Sequence, residues 1–174
     1  MTPSDRPTSE RAAPATIAGE REALEAWLDF QRETLALKCA GLDDKQLREA
    51  SVPPSELSLL GLVRHMAEVE RIWFRSVLDG EDVPPLYYSE ADPDGEFHLT
   101  GEDTWEAAHT AWRAEIARAR ELVATRSLDD LTAGHHPRGT FDLRWIYIHM
   151  IEEYARHNGH ADLIRERIDG ATGV

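Results

Sequence analysis

The sequence predicts an all-α domain built as a four-helix bundle, and three observations lead there. Apolar residues recur at 3-4 spacing in four segments of roughly 20 to 25 residues each. Glycines and proline-rich stretches separate those segments. No segment alternates apolar and polar residues over the length of a strand, and there is no internal repeat. With 174 residues the chain is long enough for one domain with a real core and short for two.

The first helix is expected from about Thr16 to Ala40, where Leu24, Trp27, Gln31, Leu35 and Lys38 share a face flanked by Leu28, Phe30 and Cys39. Gly41 is its stop. The segment LDDKQLREASVPPSE contains a Pro-Pro pair and cannot be continuous helix. The second helix is expected from about Ser58 to Asp79, capped by Ser55 or Ser58 and closed by Gly80, with His65 among Leu62, Val69, Ile72 and Trp73. A long connection, GEDVPPLYYSEADPDGEFHLTGED, follows, and connections of that length in compact domains tend to carry function. The third helix is expected from Asp103 to Arg126 on the stripe Trp105, His109, Trp112, Ile116, Ala119 and Val123. After SLDDLTAGHHPRGTF, Asp142 caps a fourth helix that runs to about Ile168, with Leu143, Tyr147, Met150, Tyr154, Ala161, Ile164 and Ile168 in heptad-like spacing. Both middle connections are long enough to cross the bundle. Residues 1–15, polar and with three prolines, read as a mobile tail ahead of a domain spanning 16–170.

Composition narrows the function classes. The net charge is −14, from 33 acidic and 19 basic residues. Such a surface repels nucleic-acid phosphates and anionic membranes, so neither is expected as a partner. No apolar run approaches the length of a membrane span, and the N-terminal stretch lacks the apolar core of a secretory signal. The single cysteine, Cys39, forms no internal disulfide and reads as a small buried hydrophobe. A cytoplasmic location is the expectation.

The most informative feature lies on the fourth helix. At about 100° per residue, His149, His160, Glu153 and His157 fall near 0°, 20°, 40° and 80° on one side. Imidazoles and a carboxylate beside apolar residues are costly to bury unless something satisfies them, and a divalent cation does so. Glu153 and His157 are an i, i+4 pair that can reach one ion, and His65 on the second helix is the best third ligand. Taken singly, the pair equals a surface contact and His65 a hydrogen-bonded core histidine. Together they point to a metal. His149 and His160 remain open as ligands, supporting groups, substrate contacts or proton-transfer residues. His109 competes with His65 but has no carboxylate facing the same way. His98, His135 and His136 fall in connections, where exposure is expected. The tryptophans read mainly as core, or else as an aromatic lining beside the metal. No Ser-His-Asp pattern, phosphate loop, dinucleotide fingerprint or HEXXH motif is present.

The segments GLVRHMAEVERIWF and LRWIYIHMIEEYARHNGHADLIRE resemble the DinB/YfiT-like metal-binding four-helix bundles, in particular their actinobacterial mini-circle-protein branch. The chain is also similar to the N-terminal domain of mycothiol-dependent maleylpyruvate isomerase. The resemblance covers about residues 16–168. It implies one histidine from the second helix and an i, i+4 ligand pair from the last, which here are His65, Glu153 and His157. Glu153 departs from the three-histidine form and follows the glutamate variant, and His160 stands where many relatives carry glutamine. The implied metal is divalent, zinc first, with nickel, iron or manganese as alternatives. The implied activity is an S-transferase or isomerase that uses mycothiol or a similar low-molecular-weight thiol, together with an electrophilic small molecule. The isomerase has a further C-terminal domain that this sequence does not contain, so isomerisation of maleylpyruvate itself is not expected. Two other readings stay open: a hydrolase using metal-bound water, and a non-enzymatic metal-binding stress protein that pairs as a homodimer through its outer helical faces.

Overall fold

The structure is a computed structural model that describes residues 11–173. The expected N-terminal tail lies outside the described residues as far as residue 10, and residues 11–15 have no regular secondary structure, with the Arg11 guanidinium 4.0 Å from the Phe30 ring centre. Among the described residues the fold is all-helical, and the only strand-like pairing is an isolated bridge between Leu131 and Asp142. Helix α1 spans Glu20–Cys39, α2 Asp44–Leu47, α3 Leu59–Glu70, α4 Trp105–Val123 and α5 Leu143–Asp169; α3 continues as a π-helix over Arg71–Asp79. No helix among the described residues is long and apolar enough to cross a membrane.

The boundaries follow local chemistry. The first helix starts at Glu20 and not at Thr16, because Gly19 is extended and forms its N-terminal boundary. The short helix α2, not anticipated from periodicity, is nucleated by a reciprocal capping box between Asp43 and Gln46. Ser58, Thr104 and Asp142 cap α3, α4 and α5 by accepting from the backbone N–H groups of Gly61, Ala107 and Trp145. Gly80 and Gly170, both left-handed, end the π segment and α5. The π segment is a departure from the uniform helix expected up to Asp79. Two carbonyls at its end, Val77 O and Leu78 O, accept from Gly134 N at 2.9 Å and Ala133 N at 3.0 Å. That approach requires glycine at 134, since a Cβ there would stand 1.8 Å from Ser76 O.

Contacts along the helices give the topology. Helix α1 packs on α5 and runs parallel to it: Arg144 meets Glu20, Tyr147 meets Glu25, Asn158 meets Gln31 and Asp162 meets Lys38. Helix α4 packs on α3 and its π extension, also parallel, from Arg64–Asp103 through Arg71–Glu115 to Asp79–Arg126. The two pairs run opposite ways, as Arg32–Glu70 and Asp29–Arg120 require. The order is therefore up-down-down-up. Of the two long connections, residues 80–104 run the length of the bundle between the parallel helices α3 and α4, and residues 124–142 join α4 to the antiparallel α5. Helices α1 and α4 are held apart by a cleft of about 360 Å³ floored by Phe74, Val123 and Tyr147 and edged by Arg21, Asp29 and Arg120.

The core runs through Leu28, Leu35, Leu62, Met66, Phe74, Trp112, Ile116, Tyr147, Met150 and Tyr154. Two residues of the expected α1 stripe behave differently. Trp27 is 46% exposed. Lys38 is buried, with its ammonium ion-paired to Asp162 and donating to Gly173 O.

A buried polar hub ties the four long helices. Glu70 accepts from Arg32 Nε at 2.8 Å and Nη2 at 2.7 Å, and from the Tyr154 hydroxyl at 2.7 Å; the Tyr154 oxygen accepts from Trp112 Nε1 at 2.7 Å. Removing one member of a buried ion pair strands the other charge. Arg32→Met is expected to lower unfolding stability by about 3–5 kcal/mol in urea titrations. Adding Glu70→Gln should recover a large part of that loss, because the amide oxygen still accepts from Tyr154 and no charge is left unpaired.

Candidate metal centre

Helices α3 and α5 are antiparallel neighbours, so a histidine near the start of one faces the second half of the other. That brings together His65, Glu153 and His157, each offering a donor atom within 4.8 Å of the others. All three are partly buried. The His65 and His157 rings lie 4.6 Å apart between centroids, and His157 Nε2 is 3.5 Å from Glu153 Oε2.

Both histidines are held by groups on their far side. His65 Nδ1 is 3.1 Å from Glu96 Oε1, which leaves Nε2 for a ligand, and Phe97 stacks on the ring at 5.2 Å. His157 Nδ1 lies 3.4 Å from His160 Nδ1. His160 thus stands behind a candidate ligand and is not one of the three converging donors. His149 Nε2 lies 3.8 Å from Glu153 Oε1, and its ring is stacked 5.0 Å from Trp145 and set edge-on 4.4 Å from Trp73. His149 also forms a second candidate group with Glu152 and Glu153. Arg156 is ion-paired to Glu152 and weakens that group as a cation site.

Electrostatics favour donors with free lone pairs. Burial, the His65 and His160 rings and Arg156 push the His157 imidazole down to about 3. Burial is the largest of these effects, and it prevails although the Glu153 carboxylate is close. Burial likewise depresses His149, partly offset by Glu153 and Glu152. Both rings are neutral near pH 7. Two imidazole nitrogens and a carboxylate oxygen, convergent and partly buried, fit a divalent cation such as zinc, and a cation held by these three donors would keep room for one further ligand.

The remaining sequence candidates are placed elsewhere. His109 stacks on Trp105 on α4 and is not among the converging groups. His98 is exposed and pairs with Asp92, and His135 is exposed. His136, expected in solvent, is instead partly buried against Trp73 and Phe141, because the glycine approach at 134 pins its loop to the π segment. Cys39 is buried in the core, its thiol pushed up to about 12 by burial, which makes it a poor nucleophile. Glu96 lies in an irregular connection, has no periodic position and gives no signal in the sequence.

A depressed His157 has a definite effect on stability. The unfolded chain takes up a proton near the ordinary histidine value of about 6.5, whereas the folded chain resists until about 3. Acid therefore favours the unfolded state across that window. Metal-free protein should lose stability as pH falls from 6.5 toward 3, and His157→Gln should flatten that part of a urea-midpoint series.

Residues 23–170 match the sequence model of the mycothiol S-transferase family. No curated protein matches the chain. The family match runs from within α1 to the end of α5 and includes His65, Glu153 and His157, and the chain belongs to the mycothiol S-transferase family.

Proposed function

We propose that the protein is a metal-dependent S-transferase that joins mycothiol, or a closely similar low-molecular-weight thiol, to an electrophilic small molecule. The observation that carries this reading is the convergence of His65, Glu153 and His157 in a chain of this family. A divalent cation held by these three donors supplies the positive charge that favours thiolate over thiol near neutral pH.

The chain's own groups do the rest. His157 enters as a neutral donor, and His65 and Glu153 complete the set with a ring nitrogen and a carboxylate oxygen. His160, behind His157 Nδ1, and Glu96, behind His65 Nδ1, keep the two rings from turning. His149, neutral and 3.8 Å from Glu153, is placed to accept the proton that the thiol gives up. The sulfur lone pair then forms the bond to the electrophilic carbon, and the displaced group, or the carbanion left by addition to a double bond, recovers a proton from the His149 imidazolium. Trp73, Trp145, Phe141 and His136 form an aromatic wall on the His149 side, suited to a planar or apolar electrophile.

Three converging protein donors, where a closed structural zinc site would use four, support a catalytic over a structural role. A buried, high-lying Cys39 supports an external thiol as the nucleophile. A cytoplasmic setting, where such thiols are held reduced, is part of this proposal.

The test is conjugation of a panel of electrophiles, followed by mass spectrometry, with zinc-loaded protein and purified mycothiol. Thiol-dependent turnover above background is expected. His65→Ala and His157→Ala should each reduce it at least 100-fold, while His149→Phe should reduce kcat with zinc still bound. Turnover of esters or amides without thiol would favour the hydrolytic reading, and no thiol-dependent rate with any metal or electrophile would sink the proposal.

A further inference from the structure

Residues 80–104 cross the bundle by running back along α3. Pro84 O accepts from Arg71 Nε at 2.8 Å. The N–H groups of Leu86 and Tyr87 both donate to Glu68 Oε1 at 2.5 Å. Gly95 O accepts from Arg64 Nη2 at 3.0 Å, and the Arg64 guanidinium lies 4.3 Å from the Tyr87 ring centre. Two close approaches fix the far end. A Cβ at Gly95 would stand 2.4 Å from Tyr87 O, and one at Gly61 would stand 3.2 Å from the Phe97 ring. Between these points the loop delivers Glu96 to His65.

Glu96 is 7% exposed, and its Oε2 is buried with no hydrogen-bond partner among the described residues. A carboxylate held this way costs stability. Among the described residues its side-chain partner is His65 Nδ1, at 3.1 Å. A neutral imidazole carries one N–H, and a carboxylate oxygen accepts; the contact therefore places the proton on Nδ1 and the lone pair on Nε2. Carboxylates in that position orient metal-bound histidines and raise their basicity.

We propose that Glu96 is a positioning residue for the metal centre. It sets the tautomer and ring angle of His65 from the crossover connection, and so makes metal affinity depend on a segment that contributes no ligand. The inference rests on His65 being a ligand, as in the function proposed above.

Zinc affinity of the full chain, measured by competition with a chromophoric chelator, tests this without any thiol or electrophile. Glu96→Leu is expected to weaken zinc binding 10- to 100-fold. Glu96→Gln, which keeps an acceptor but no charge, should fall between Leu and wild type. Glu90→Gln, at an exposed position of the same connection, should match wild type. Nitrogen NMR of the wild-type metal-free protein should show His65 with its proton on Nδ1. Zinc affinity of both Glu96 variants within threefold of wild type overturns the proposal, even if they unfold more easily, and so does a proton on His65 Nε2. Wild-type protein that binds no zinc overturns it together with the metal reading of the site; tight wild-type binding with unaffected variants overturns it alone.

Discussion

The buried contact between Glu70 and Arg32 is the constraint on which the arrangement depends. Neither charge has meaningful access to water, so each must find its partner inside. Because Arg32 belongs to α1 and Glu70 ends α3, the pair fixes the axial offset of two antiparallel helices. Tyr154, donating to the same carboxylate, fixes α5 against α3 as well, and Trp112 adds α4. Tyr154 directly follows Glu153. The register that satisfies Glu70 is therefore the register that brings Glu153 and His157 opposite His65. A shift of α5 by one turn, about 5.4 Å, would break the hub and separate the donors together.

The crossover connection is the second constraint. Parallel packing of α3 and α4 obliges the chain to return along α3, and it does so clamped to Arg64, Glu68 and Arg71. This return path is a fixed wall of the site, built from hydrogen bonds and two glycine approaches. The other long connection plays a comparable part at the opposite end. Ala133 and Gly134 take up carbonyls at the end of the π segment, and the loop carries His136 and Phe141 onto Trp73 and Trp145. The site thus lies between two helices and is bounded by the two longest loops.

The electrostatic character of the centre follows from the same burial. In a chain of net charge −14, a solvent-exposed histidine beside carboxylates would tend to hold its proton. His157 does the opposite, since desolvation and the neighbouring rings disfavour a second charge. Neutral imidazoles are what a divalent cation requires. The supporting contacts of Glu96 and His160 restrict the rings through their remote nitrogens.

The sequence by itself determined the four long helices, the caps at Ser58 and Asp142 and the stop at Gly80, because periodicity and capping are local properties of the chain. It also pointed to His65, Glu153 and His157 as a group, since Glu153 and His157 share a helix face through i, i+4 spacing and His65 is the only histidine on the helix opposite, and the structure brings the three together. The capping box at Asp43 and Gln46 was equally local and could have revealed α2. Tertiary structure alone decided the rest. The π form of residues 71–79 ends on carbonyls that accept from the backbone N–H groups of Ala133 and Gly134, more than fifty residues away. Which long connection crosses depends on helix pairing, and the burial of Lys38 and exposure of Trp27 depend on what stands opposite them. Glu96 was illegible for the same reason: a carboxylate in an irregular loop has no period, and its role arises only when the crossover lays it against His65.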